Sequence, residues 1–255
     1  MMPSWVSLCF QDSGSPSMSE LFCLHDHIMV IMLLVIILVS YIMLFLVFSS
    51  FFYKYLSEGT FIETIWSIVP AFLLLILVVP SMKVLYLMED IKLPSITVKV
   101  VAHQWYWSYI VPFLKGFNFS FDSFNFSYFS YDSIMEGNPL VQPRLLSCSS
   151  SLVLPINSTT RFLVSSTDVI HAFSVPSLGL KVDAVPGRVN QLYSNPSRLG
   201  LYFGQCSEIC GSNHSFMPIE LKISSIEDYN KISEGYLLDS IVDSCGVYLS
   251  LSFTF

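Results

Sequence analysis

Two long apolar runs near the N-terminus limit the folds open to this chain more than any other feature. Residues 27–49 are almost unbroken Ile, Leu, Val, Met and Phe, and residues 61–88 form a second such run. Each is long enough to cross the ~30 Å hydrocarbon core of a bilayer as a helix. Pro70 and Pro80 fall inside the second run, which membrane helices tolerate where neighbouring groups satisfy the freed backbone. Residues 50–60 leave room only for a short connection. The pair therefore reads as a helical hairpin in a lipid bilayer, with both chain ends on the same side. Composition agrees: 12% of residues are charged, against about 25% in a soluble protein. A net charge of −7 argues against a nucleic-acid partner.

No Lys or Arg precedes Lys54, which lies in the connecting loop, whereas the leading segment carries Asp12, Glu20 and Asp26. Basic residues mark the inner side, so the loop is expected inside and both ends outside. A cleaved secretory signal is the competing reading of the first run. It fails because the run is too long and lacks a basic leader.

Beyond residue 89 the pattern changes. Apolar and polar residues alternate at 96–101, 161–164 and 219–223, separated by Pro, Gly and Ser clusters. Such spacing predicts an all-β sandwich or barrel, and about 165 residues are enough for one domain with its own core. The stretch 117–133, FNFSFDSFNFSYFSYDS, reads as a long hairpin or an inserted loop. Residues 236–255 show no clear pattern. The Asn-x-Ser/Thr triplets at Asn118, Asn125 and Asn157 are too short a motif to carry a role. The six cysteines are too scattered for a disulfide framework.

The sharpest local signal is CSEICGSNHSFM, which places Cys206, Cys210, His214 and Met217 together, with His171 upstream after an apolar run. Thiolates, imidazoles and a thioether are the donors copper prefers, and a one-copper site uses two His, one Cys and a weak Met. Here one cysteine is left over. Two thiolates four positions apart on one loop suit a pair of bridged coppers, with His171 and His214 capping one ion each. Met217 and a backbone carbonyl then supply weak outer bonds. Two alternatives stand beside this. Two Cys and two His suit a structural zinc, although the usual short spacings are absent. A Cys206–Cys210 disulfide would suit an oxidising compartment.

Longer motifs carry a resemblance. VSSTDVIHAFSVPSLGLKVDAVPGR, GLYFGQCSEICGSNHSFMPIE, HQWYWSY at 103–109, ETIWSIVPA at 63–71 and the opening FQDSGSPSMSE resemble the subunit II family of cytochrome c oxidases. The resemblance extends to about Asp228 and implies a two-helix transmembrane hairpin followed by an all-β cupredoxin-like barrel. The expected divisions are 1–26 on the outer face, 27–49 and 61–88 as spans and 50–60 as the inner loop. A dicopper domain over 89–235 and a divergent tail over 236–255 complete them.

The resemblance implies a binuclear copper centre (CuA) held by His171, Cys206, Cys210, His214, Met217 and the main-chain carbonyl of Glu208. The Glu208 carboxylate would face a magnesium ion shared with subunit I, a hard oxygen ligand for a hard cation. Trp105 is implied as the point where electrons enter from cytochrome c, with Trp107 a core residue. Glu63 is implied at the mouth of a proton-uptake channel of subunit I. The implied partners are cytochrome c, subunits I and III and accessory subunits. The implied activity is the oxidation of cytochrome c, with dioxygen reduced to water in subunit I and protons pumped. The chain starts where the family starts, without a leader, and is rich in Phe, Ser and Leu. Both features point to the mitochondrial inner membrane, with the β-domain in the intermembrane space.

One departure stands out. The family carries several acids after HQWYWSY, which steer a basic cytochrome c. Here the region reads IVPFLKGFNFSFDSFNFSYF, with Asp122 its one acid and Lys115 added. Asp132, Glu136 and Asp168 remain as candidates. Three rival functions fit less well. A copper chaperone has one span and a thioredoxin-like domain, a nitrous-oxide reductase lacks the hairpin, and a quinol-oxidase subunit lacks the ligands.

Overall fold

The structure is a computed structural model that describes residues 9–51, 53–55, 57–89, 93–112, 128–137 and 143–245. It divides into a helical unit, residues 19–90, and a β-rich unit made of residues 1–18 and 91–255.

In the helical unit, α1 spans Pro16–Phe48 and α2 spans Thr60–Glu89. The first helix starts well before the apolar run because the local chemistry favours it. Ser15 Oγ accepts the Met18 N–H at 3.2 Å, and Pro16 occupies the first helical position. This is a serine N-cap followed by a proline that has no N–H to lose. Lys83 Nζ lies 3.0 Å from Glu20 Oε2, so the start of α1 meets the end of α2 and the helices run antiparallel. Large apolar side chains stand exposed along both helices, Val47 and Val79 at 72%. In water that exposure is unfavourable, and in lipid it is what a span requires.

Among the described residues the β unit holds ten strands. These are β1 Ile96–His103, β2 Tyr106–Pro112, β3 Tyr128–Ser133, β4 Leu152–Pro155, β5 Thr160–Ser166, β6 His171–Val175, β7 Leu180–Ala184, β8 Asn190–Ser194, β9 Gly200–Gln205 and β10 Pro218–Ser224. One sheet is ordered β3-β2-β1-β5-β8, a second β4-β10-β9, and β6 pairs with β7. Burial alternates along β1, β2 and β5, as the period of a strand demands. Val98, Val100, Trp107, Tyr109, Phe162, Phe173, Ile219 and Leu221 form one core.

Residues 12–15 belong to this unit. The Gly14 N–H donates to the Ser177 carbonyl at 2.7 Å, and the Ser197 N–H donates to the Gly14 carbonyl at 2.9 Å. Ser15 Oγ donates to the Leu178 carbonyl at 2.7 Å. A β-carbon at Gly14 would overlap the Tyr202 ring. The opening motif is thus a strap laid on the β-domain.

Two stretches gain detail, and the antiparallel pairing of β2 with β3 fits the long-hairpin reading of the first. Within 117–133, Tyr128–Ser133 form the edge strand beside β2, with Tyr131 opposite Tyr109; residues 113–127, including Asp122, Lys115, Asn118 and Asn125, lie outside the described residues. The expected boundary at 235/236 falls inside a helix, α3, which spans Ile226–Cys245. Ser225 starts it: its Oγ accepts the Asp228 N–H at 3.1 Å and donates to the Asp228 carboxylate at 2.8 Å. The first of these bonds is a serine N-cap, and α3 lies against β3 and β4 with Tyr229 buried.

Candidate metal centre

Strands β9 and β10 pair antiparallel, with Gln205 opposite Pro218. The loop between them therefore starts and ends at one place, which brings Cys206 and Met217 together. Within it, Gly211 takes φ +132°, and His214–Phe216 form a single 3-10 turn. His171 arrives on a different element, as the first residue of β6. Two contacts set its distance from the cysteine loop. The Ser207 N–H donates to the Ala172 carbonyl at 3.1 Å, and Gly204 approaches Ser174 so closely that a β-carbon would overlap its carbonyl oxygen.

The result is a compact group of soft donors. Cys206 Sγ lies 4.0 Å from Cys210 Sγ, 3.9 Å from His171 Nδ1 and 3.3 Å from the Glu208 carbonyl oxygen. Cys210 Sγ lies 3.5 Å from His214 Nδ1 and 3.5 Å from Met217 Sδ. His171, Cys206 and Cys210 are buried, with their donor atoms all within 4.8 Å of one another. The cysteines are not disulfide-bonded. Both sulfurs reach one ion across 4.0 Å if metal–sulfur bonds are about 2.3 Å, the length found at zinc. Met217 is 1% exposed and directs its sulfur at Cys210. A buried thioether beside two thiols favours copper over zinc. Burial, and after it the Cys206 thiol alongside, push the Cys210 thiol up to about 12. The Cys210 thiol therefore becomes a thiolate when a bound cation displaces its proton.

The support behind the donors comes from a residue to which the sequence assigned a different role. Asp168, a candidate for docking a partner, is instead turned into the site. Its Oδ1 lies 2.8 Å from His171 Nε2, and its carboxylate accepts the Gln104 and Val169 N–H groups, both at 2.6 Å. Burial pushes the Asp168 carboxyl up, but the hydrogen bonds from His171, Val169, Gln104 and Ser166 outweigh it and leave it below its ordinary value. An ionised carboxylate only accepts. His171 therefore carries its hydrogen on Nε2 and offers the bare Nδ1 to the cysteine side. The Asp-x-x-His spacing was the available signal. Asp168→Asn keeps the size but presents a donor where both oxygens accept. Copper affinity should fall about 10- to 100-fold, measured by competition with a chelator.

The remaining expected residues fall as follows. Trp107 is core: its Nε1–H donates to the Met217 carbonyl at 3.2 Å, and its ring stands 6.2 Å from that of His171. Trp105 is half-buried rather than exposed, and its ring packs on Gly211, next to Cys210. The Glu208 side chain is exposed on the loop while its carbonyl faces Cys206. Glu63 is exposed in the first turn of α2, its carboxylate 3.4 Å from the Gly59 N–H, apart from the copper donors in sequence and in structural unit. Asp132 is exposed on β3, accepting from Ser108 at 2.6 Å, and Glu136 is exposed beyond it.

Comparison with known proteins agrees with this geometry. The model for the cytochrome c oxidase subunit II periplasmic domain matches residues 96–224, and that for its transmembrane domain matches 3–84. Cytochrome c oxidase subunit 2 of Simulium vittatum is 47% identical, over 88% of this chain and 93% of its own. That of Branchiostoma floridae is 43% identical, over 89% of this chain and 94% of its own. The crystal structure of the periplasmic domain of subunit II of Bradyrhizobium japonicum cytochrome oxidase is 36% identical. It covers 56% of this chain and 94% of that one, with a TM-score of 0.50. The family models match both the two apolar helices and the cupredoxin-like β-domain that carries the buried His–Cys–Cys group, and the chain belongs to the cytochrome c oxidase subunit II family.

Proposed function

We propose that this chain receives electrons from reduced cytochrome c and passes them to subunit I of a cytochrome c oxidase through a binuclear copper centre. The observation that carries the reading is the pair of buried thiols 4.0 Å apart on one loop, each with its own imidazole partner. His171, Cys206, Cys210, His214 and Met217 would hold two copper ions there, and such a pair would supply a one-electron carrier whose charge change is spread over both metals.

This chain's residues do the rest. Asp168 orients His171, Trp107 holds the Met217 carbonyl, and the burial of Cys206, Cys210 and Met217 excludes water. The half-buried Trp105 ring lies on the cysteine loop, where it would take electrons from the partner. The exposed Glu208 carboxylate offers a hard oxygen to a magnesium ion shared with subunit I. Glu63, held at the first turn of α2, stands at the mouth of a proton route in subunit I. Residues 27–49 and 61–88 span the mitochondrial inner membrane, with residues 50–60 inside and the copper domain in the intermembrane space. Subunit III and accessory subunits complete the complex.

The test is electron paramagnetic resonance of the copper-loaded β-domain. Hyperfine lines from one electron shared equally by two coppers support the reading, and a single-copper spectrum rejects it.

The partner's docking differs from a steered one. Over residues 96–224, eight Lys and Arg stand against seven Asp and Glu, and Asp168 is committed to His171. Little acidic field is left to attract a basic protein. Raising ionic strength from about 0.01 M to about 0.15 M shortens the screening length from about 30 to about 8 Å. The rate of cytochrome c oxidation should change by less than about threefold, where steering is worth about 10- to 1,000-fold. A steep fall in stopped-flow rate would refute the prediction.

A further inference from the structure

The assignment of Trp105 as the point where electrons enter leaves open what holds its ring in place, and the following rests on that assignment. The ring does not hold itself. Its Nε1 is buried and has no hydrogen-bond partner among the described residues. Its seat is Gly211, where a β-carbon would stand 3.0 Å from Cζ2 and 3.2 Å from Nε1. Apolar packing is non-directional, so this contact alone leaves the ring free to slide over the loop.

The directional bonds belong to the preceding residue. The Gln104 N–H donates to Asp168 Oδ2 at 2.6 Å, and the Gln104 Nε2–H donates to the Cys210 carbonyl at 2.7 Å. Asp168 also binds His171 Nε2 at 2.8 Å. Gln104 is thus bonded both to the segment leading to His171 and to the cysteine loop, and Trp105 is the next residue along the chain. Gln104 is exposed, so its amide is not needed to fill a core.

We infer that Gln104 is a positioning residue for electron uptake: its amide bond to the Cys210 carbonyl fixes the Trp105 turn on the cysteine loop. Docking of the partner is a separate role that this residue's exposure would also allow, and two variants separate the roles. Gln104→Met keeps the length and removes the donor. Gln104→Glu also removes the donor, because an ionised carboxylate only accepts, but it adds a negative charge facing a basic partner.

The experiment uses the assembled oxidase carrying each variant, with steady-state oxidation of cytochrome c, copper paramagnetic resonance, and hydrogen exchange of the 103–107 peptide. Displacement of a reacting group by about 1 Å costs up to about 100-fold, so kcat should fall by about tenfold or more in both variants. KM should stay near that of the wild type for Gln104→Met, the copper spectrum should be unchanged, and the 103–107 peptide should exchange faster. The inference is overturned if kcat and exchange match the wild type. A change in KM alone, with Gln104→Glu binding cytochrome c more tightly, overturns it in favour of docking. Loss of the copper spectrum overturns it in favour of a bond that holds the metal loop itself. Failure of the wild-type oxidase to take electrons from cytochrome c would instead remove the functional reading beneath it.

Discussion

Cys210→Ser should lower electron uptake from cytochrome c by more than about 100-fold, because loss of a residue that merely supports a ligand already costs about 10- to 100-fold. Cys210 joins the Cys206 sulfur to the other donors of its loop: the Cys206 sulfur, the His214 Nδ1 and the Met217 sulfur all lie within 4.0 Å of its Sγ. A serine hydroxyl is a harder, weaker donor for copper, and one thiol alone cannot bridge a pair of ions from both sides. The fold should persist, since serine is smaller and nothing must move to admit it. Paramagnetic resonance should lose the shared-electron signal while circular dichroism of the β-domain stays unchanged. Retention of the two-copper spectrum in Cys210→Ser would sink the assignment.

Gly204→Ala should be the most damaging small substitution outside the donors. Gly204 lies on β9 two positions before Cys206, and its face meets the Ser174 carbonyl of β6, three positions after His171. An added methyl has nowhere to go, because the obstacle is backbone rather than a side chain that changes rotamer. Overpacking of a core costs about 1–3 kcal/mol, and a backbone obstacle puts this site near about 3 kcal/mol. The strain falls on the separation between the strand that carries one histidine and the loop that carries both cysteines. Urea denaturation should report lower stability, and copper binding should weaken in the same variant. A variant as stable as the wild type with full copper loading would show that β6 and β9 are not packed as closely as described.

The hairpin, the β-class of the second unit and the His171, Cys206 and Cys210 group were legible from residue order. Runs of apolar residues have no other stable setting than lipid or a core, so 27–49 and 61–88 declared themselves. The alternating stretches at 96–101, 161–164 and 219–223 became β1, β5 and β10, because a half-buried strand requires that period. Cys206, Cys210, His214 and Met217 were close in sequence and could hardly be far apart in space.

Other features were less visible. In α3, Tyr229, Ile232 and Tyr236 recur at helical spacing, but Ser233 and Gly235 dilute the pattern and hid the helix. The FQDSGSP opening was recognisable as a motif, yet its reason, the strap across Ser177, Leu178 and Ser197, needs segments more than 150 positions away. Asp168 is a surface acid whose carboxylate turns toward His171, and sequence does not say which way a carboxylate turns.

Residue order determined which atoms are available to hold copper, since ligand chemistry belongs to residue type. Only the tertiary structure decided how they meet: β6 laid on β9 at a glycine brings His171 to the cysteines, and Asp168 and Gln104 join the two segments. Donor identity is a local property of the chain, whereas distances between donors on separate strands are set by strand pairing and packing, which no short stretch of sequence contains.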